Sequence, residues 1–292
     1  MKRLLISTDF SDRATHAAEY GFYFGRQIRS NIILLNGFTV PAEMPLATRI
    51  AWPMDDYNSL KIESINHLKD LKVHLKSKKI AGGFQPTISC ISEAGTVVDL
   101  VNDIDASESI DLVIIGTHGS TGLNTLLLGN NCQKLIDGIS RPLLMVPPEA
   151  KIAPIKKIAF ATDFKHPKED LVSFHKLVSI AMLLNAEILI VYIYNERDYS
   201  SEFTDWVNES LLKLSHKSYY PHINSTSILN TQTENGLDYL SEHGQIDMLS
   251  MVHRPQNFIE SLITGSDTQK MADHISIPLL IFQEKMHHYM GL

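Results

Sequence analysis

Two cysteines, Cys90 and Cys132, are the only thiols in this 292-residue chain. They are too few for a disulfide framework or a cysteine-rich zinc site. No stretch approaches the roughly 18 apolar residues of a membrane span. The longest candidate, Ile188 to Ile193, has the length of a buried strand. The opening Met1-Lys2-Arg3-Leu4-Leu5-Ile6-Ser7-Thr8-Asp9 begins basic and then apolar, as a signal peptide does, but its apolar part is short and meets an aspartate. Positive charge is also short. Lys+Arg number 26 against 33 Asp+Glu, a formal charge of −7, which argues against a general nucleic-acid binder. The histidines, among them His16, His67, His74, His118 and His175, are scattered, with neither His-Glu-x-x-His nor Cys-x2-Cys spacing. His287-His288 lies close to the chain end and reads as incidental. No Gly-x-Ser-x-Gly elbow presents a nucleophile. With 44% hydrophobic and 20% charged residues, the composition is globular, and the length suggests two domains. A cytoplasmic protein without membrane or nucleic-acid contacts is expected.

The chain repeats itself. Lys2-Arg-Leu-Leu-Ile-Ser-Thr8-Asp9-Phe10 returns as Lys156-Lys-Ile-Ala-Phe-Ala-Thr162-Asp163-Phe164, an offset of 154. Gln133-Lys134-Leu-Ile-Asp137-Gly-Ile139-Ser140-Arg-Pro142-Leu143-Leu144 returns as Gln269-Lys270-Met-Ala-Asp273-His-Ile275-Ser276-Ile-Pro278-Leu279-Leu280, an offset of 136. Two matches in the same order mark a duplicated domain. The boundary falls in Pro147-Pro148-Glu149-Ala150-Lys151, giving repeats over 1–148 and 152–292. The change of offset assigns about 18 extra residues to repeat one. Thr39 to Tyr57, holding Pro41, Pro45 and Pro53, is their expected home and reads as a long loop.

Short runs rich in Ile, Leu and Val alternate with helical stretches. Strands are expected at Leu4–Ser7, Ile32–Leu35, Thr87–Ile91, Leu112–Ile115 and Leu143–Val146. In repeat two they are expected at Ile158–Ala161, Ile188–Ile193, Ser225–Leu229, Met248–Met251 and Leu279–Phe282. Ile62, Ile65, Leu68, Leu71 and Leu75 recur at helical spacing, and Ala14 to Ile28 reads as a helix entered through Ser11. The pattern is βαβα with apolar strands, hence an α/β fold whose parallel sheets are buried by helices on both faces. Cys90 reads as a strand residue and Cys132 as packed on its helix. Tyr219-Tyr220 and Trp206 read as cover for the core.

Ligands of such sheets bind beyond the carboxyl ends of the strands. After strand one stands Thr8-Asp9, and after strand two Asn36-Gly37. After strand four stands Gly116-Thr117-His118-Gly119-Ser120-Thr121-Gly122, and Gly129-Asn130-Asn131 then precedes a helix. This is neither a Walker A loop nor Gly-x-Gly-x-x-Gly. Its glycines permit close backbone approach, and Gly129 at a helix start offers free N–H groups to an anion.

The spacing Gly116-x2-Gly119-x9-Gly129, with an opening strand that ends in an aspartate at Asp9 and again at Asp163, resembles the universal stress protein family. The resemblance covers essentially the whole chain as two tandem domains. It implies flavodoxin-like, adenine-nucleotide alpha-hydrolase-like domains, each a five-stranded parallel sheet with helices on both faces, in strand order 3-2-1-4-5. It also implies ATP as ligand, with Mg2+ as the ion that accompanies a triphosphate. Asp9 would hydrogen-bond the adenine edge with help from Gly37. Gly116 and Gly119 would let the loop cradle ribose and phosphates, flanked by Ile115, Thr117 and His118, with Thr8 beside Asp9. Gly129, Asn130 and Asn131 would hold phosphates. Asn130 departs from the Ser or Thr of the ATP-binding pattern.

Repeat two is expected to be empty. Aligned through Asp111 and Asp247, Val252, His253, Arg254 and Pro255 stand where Gly116, Thr117, His118 and Gly119 stand. Pro255 has no N–H to offer. Arg254 reads as an exposed, solvated loop residue. The expected function is a stress-response protein that signals through nucleotide-dependent interaction with an unnamed protein partner. It would carry an internal repeat–repeat pseudo-dimer in which the last strands meet, open to homo-oligomers. Two alternatives stand beside it: a scaffold that has lost nucleotide binding, and a slow ATPase. No robust catalysis is expected, since no general base or metal-ligand cluster accompanies the loop.

Overall fold

The computed structural model describes residues 3–39, 53–78, 82–117, 130–194, 201–216, 219–229, 233–254 and 276–283. They fall in two compact units, Met1–Gly116 and Thr117–Leu292.

The first unit runs β1 (Arg3–Ser7), α1 (Asp12–Gln27), β2 (Asn31–Phe38), α2 (Pro53–Ser77), β3 (Ile88–Ala94), α3 (Val97–Glu108) and β4 (Leu112–Gly116). Its strands lie in the order β3-β2-β1-β4, all parallel. Leu4, Leu5 and Ile6 on β1 and Leu112, Val113 and Ile114 on β4 are fully buried. Apolar side chains on both sides of a strand require cover on both faces. Right-handed crossovers supply it, since the reversal of direction between β3 and β4 sends α3 to the face opposite α1 and α2. Helix α1 begins where Ser11 Oγ accepts from the Ala14 N–H at 3.2 Å, and α3 where Thr96 Oγ1 accepts from Asp99 N–H at 3.2 Å. Both are side-chain caps of otherwise unsatisfied first-turn donors.

Two sequence expectations are corrected in α2. The loop expected over 39–57 ends sooner, because the helix already starts at Pro53, a residue whose fixed φ and missing N–H suit a first helical position. Residues 40–52 lie outside the described part. The buried stripe consists of Ser64, Leu68, Leu71 and Leu75, while Ile62 is 61% exposed. Each step of three residues falls about 60° short of a full turn. Two such steps from Leu68 back to Ile62 carry the side chain off the inner face.

The second unit holds α4 (Asn130–Gly138), β5 (Leu143–Val146), β6 (Lys157–Ala161), α5 (Pro167–Leu184) and β7 (Glu187–Tyr194). It continues through α6 (Ser201–His216), β8 (Ile223–Leu229), α7 (Thr233–His243), β9 (Met248–His253) and β10 (Leu279–Gln283). The strands of repeat two lie in the order β8-β7-β6-β9-β10, parallel throughout, which is the expected 3-2-1-4-5. β5 joins β10 antiparallel, with Leu279 opposite Met145, Leu280 opposite Leu144 and Ile281 opposite Leu143. The last strand of the first sequence repeat therefore lies beside the last strand of the second. Helix α5 starts with Pro167 and closes on Asn185 in the left-handed region. Cys90 on β3 is half-buried, and burial raises its thiol pKa. Cys132 is buried on α4. Tyr220 does cover core backbone, its hydroxyl donating to Ala186 O at 2.7 Å, but Tyr219 is 97% exposed. Its left-handed backbone, φ 53°, turns it outward.

Candidate functional site

The turn that leaves the first strand is built twice on the same backbone hydrogen bonds. In the first unit Thr8 N–H continues the ladder to Leu35 O at 2.9 Å, and Thr8 Oγ1 then accepts from Phe10 N–H at 3.0 Å. Asp9 Oδ1 accepts from Ser11 N–H at 3.0 Å and from Ser11 Oγ at 2.6 Å. In the second unit Thr162 N–H bonds Val191 O at 3.1 Å, Thr162 Oγ1 accepts from Phe164 N–H at 3.1 Å, and Asp163 Oδ1 accepts from Lys165 N–H at 3.1 Å. Phe10 and Phe164 both adopt left-handed φ, 64° and 54°. A short polar side chain bonding its own backbone two residues on is what holds such a bend. The Thr-Asp-Phe match is thus one rigid exit geometry, and it delivers a carboxylate to the carboxyl end of the sheet.

Beneath the first turn runs a buried polar chain. Asn36 Nδ2 donates to Thr8 O at 2.7 Å, Ser64 Oγ donates to Asn36 Oδ1 at 2.7 Å, and Ser92 Oγ donates to Ser64 Oγ at 2.6 Å. It ties β1, β2, α2 and β3 together below the strand ends. Every link is satisfied, so it fixes their relative heights at little cost. Beside it, Gly37 sits where a Cβ would come within 3.0 Å of Leu100 Cδ1 and 3.2 Å of Gly95 O.

Gly116 closes β4. Its φ is not in the left-handed region, but a Cβ there would stand 2.9 Å from Arg13 O and 3.1 Å from Arg13 C. The glycine is required by the close approach of the first turn of α1, whatever else it does. Ile115 is buried on β4. In the second unit Thr117 is buried, its N–H bonded to Val146 O at 3.0 Å and its Oγ1 without a partner among the described residues. Asn130 and Asn131 begin α4, as expected of a helix that follows the glycine loop. His118, Gly119 and Gly129 lie outside the described residues, as do Ser120 and Thr121.

The two turns differ in what meets the aspartate. Asp9 is exposed and makes no ion pair among the described residues. Asp163 faces Arg254 NH1 at 3.7 Å, and Arg254 NH2 also donates to Asp170 Oδ1. Asp170 Oδ2 in turn accepts from Thr162 Oγ1 at 2.8 Å. Arg254 is 6% exposed and Asp170 1% exposed, so the expectation of a solvated loop arginine is corrected. Burial raises the Asp170 pKa, opposed by the downward pull of Arg254 and Thr162. Asp170, one turn into α5, supplies the partner, and nothing in the local sequence around Arg254 announces it.

A second set escaped the sequence reading. Tyr57 Oη donates to Glu93 Oε2 at 2.9 Å, Lys61 Nζ reaches Glu93 Oε1 at 2.7 Å, and Phe38 packs on the Tyr57 ring at 5.6 Å. The bond from Lys61 holds Glu93 below the usual carboxylate range. This group crowns the carboxyl ends of β2 and β3. The four-residue spacing of Tyr57 and Lys61 was its only local signal.

Residues 1–147 match the model of the Universal stress protein family, and the chain belongs to that family. The Universal stress protein Slr1230 of Synechocystis sp. is 23% identical over 97% of this chain and 100% of its own length. The Universal stress protein MJ0577 of Methanocaldococcus jannaschii is 26% identical over 50% of this chain and 94% of its own length. Among solved structures, a universal stress protein from Archaeoglobus fulgidus superposes with a TM-score of 0.69 at 14% identity, covering 97% of this chain and 98% of that one. At that identity the likeness carries the fold. No helix among the described residues is long and apolar enough to cross a membrane.

Proposed function

We propose that the first repeat binds an adenine nucleotide, ATP, and that the protein acts in stress response through the interactions of the bound state, while the second repeat binds none. One observation carries this reading. The same strand-exit turn is built in both repeats, but the carboxylate is left open to solvent at Asp9 and is met by a buried arginine at Asp163. Asp9 Oδ1 makes both described bonds to Ser11, which orients the group and leaves Oδ2 for an outside donor such as the adenine amino group. Gly37, whose missing Cβ is explained by Leu100 and Gly95 close by, would add a backbone contact to the ligand. From the sequence come the intact Gly116, Gly119 and Gly129 spacing and the phosphate role of Asn130 and Asn131, flanked by Thr8, Ile115, Thr117 and His118. Mg2+ would enter with the triphosphate. A second reading, a scaffold acting through a protein partner without nucleotide, is favoured by Asn130 in place of the family's Ser or Thr.

Calorimetric titration of the full chain with ATP tests the reading, together with mass spectrometry of nucleotide released by heat. About one site per chain is expected, as is its loss in Asp9→Ala with the fold retained. Two equivalent sites overturn the reading of the second repeat. No binding of any adenine nucleotide overturns the whole and leaves the scaffold.

A further inference from the structure

The second unit contains a cavity of about 230 Å³ that the strand-end reading does not use. It lies between the start of α5 and the middle of α6. Phe164, Leu171, Trp206 and Leu214 supply its apolar lining, and Ser210 and Lys213 its polar lining from α6. Asp170 also lines it. Phe164 is held rigidly by the turn that bonds its N–H to Thr162, is stacked on Tyr192 at 5.6 Å, and meets the edge of Trp206 at 6.0 Å. Trp206 remains 43% exposed.

We propose that this cavity is a binding site for a small monocyclic aromatic carboxylate. Size and rings set the aromatic part, since the space suits one ring flanked by fixed aromatic side chains. Charge sets the rest. Asp170 has both oxygens engaged, by Arg254 and by Thr162, so it does not call for a cationic ligand. Lys213 brings an ammonium. Its partner Glu209, 2.7 Å away and four residues earlier on α6, forms an exposed pair of the kind readily exchanged for another carboxylate. Ser210 adds a hydroxyl donor. Pro167 lines the cavity as well, so the start of the 18-residue α5 faces it. Glu169 and Asp170 already place carboxylates in the first turn of that helix, so the partners for an anion are Lys213 and Ser210 and not the helix end.

The nucleotide reading of the first repeat is independent of this site, and the test separates them. The chain holds two tryptophans, Trp52 and Trp206. In the full-length Trp52→Phe protein, Trp206 is the sole indole reporter. Titration with benzoate should quench it saturably, and benzoate should bind at least about tenfold tighter than benzylamine. Lys213→Gln, an exposed change, should weaken benzoate by about tenfold and bring it level with benzyl alcohol. Saturating ATP should leave benzoate affinity unchanged. A linear response to all three probes overturns the site. Benzylamine binding as tightly as benzoate, or Lys213→Gln without effect, overturns the acid class. Displacement of benzoate by ATP overturns its separateness.

Discussion

Single atoms decide what the duplicated turn can do. Gly116, proposed to let a ligand approach, is required by its own fold in any case. A Cβ at that position meets the Arg13 backbone, which is not the yielding end of a side chain. Gly116→Ala is therefore expected to destabilise the ligand-free protein by about 1–3 kcal/mol, read from urea unfolding without nucleotide. Wild-type stability in that variant would remove the packing role. Arg254 is the counterpart in the second repeat. Its removal leaves Asp170 buried without its cation, and Arg254→Ala should cost about 3–5 kcal/mol. The pH dependence of Asp170 has a definite sign. Burial raises its pKa above that of the carboxyl in the unfolded chain, so in the window between the two the folded protein holds more proton than the unfolded. Stability contributed by this group then rises as pH falls through that window and is lost as pH rises through the raised pKa. Asp170→Asn should abolish that slope. Unfolding free energies of both proteins across the acid range check it, the change of the difference with pH being the readout. A wild-type stability that rises with pH relative to Asp170→Asn across the window contradicts the raised pKa.

At the scale of elements, the central strand positions were legible because buried strands are continuous apolar runs, whereas β8 is polar and half-exposed and was marked only by its closing Ile228-Leu229. All ten expected runs became strands, with ends shifted by a few residues. Helix α1 was legible through Ser11. That cap is local chemistry, one hydroxyl accepting one N–H, and Ser11→Ala is expected to cost about 1 kcal/mol. Because Ser11 Oγ also donates to Asp9, the same change loosens the carboxylate proposed to meet adenine. Thermal unfolding without ligand reads the first effect, and ATP affinity reads the second. An unchanged affinity would mean that the Ser11 N–H alone orients Asp9. The start of α2 was not legible. Prolines cluster before it, and Pro53 reads equally as loop residue or first helical residue until the following turns are seen to pack. Ile62 misled for a related reason, since a run of three-residue spacings drifts around the helix. The Arg254–Asp170 pair was invisible because its partners are 84 residues apart in the chain. Only the fold brings the end of β9 to the first turn of α5.

For the molecule as a whole, the repeat was the most legible feature and its consequence the least local. Pro142-Leu143-Leu144 and Pro278-Leu279-Leu280 match in sequence, and the strands they open pair with each other antiparallel. Identical runs are suited to this, because an antiparallel pair of equivalent strands presents each to its own likeness. The pairing is also apolar on both sides. Leu143, Leu144, Leu280 and Ile281 are all essentially inaccessible, so neither strand has a face that water could stabilise alone. Leu280 sits at the centre, opposite Leu144 on one side and beside Ser250 of β9 on the other. Truncating it removes contacts from both neighbours and leaves a space that close-packed strands fill poorly. Leu280→Ala is expected to destabilise by about 2–5 kcal/mol. Leu229→Ala, at a half-exposed position on β8, should stay within about 0.5 kcal/mol. Trp206 lies in the same compact unit, so its fluorescence in the Trp52→Phe protein follows the unit in which the strain is placed. The urea midpoint of that signal should fall strongly for Leu280→Ala and hardly at all for Leu229→Ala. Equal shifts for the two would mean that β5 and β10 meet without stabilising the unit, and that the matching prolines and leucines record the duplication alone.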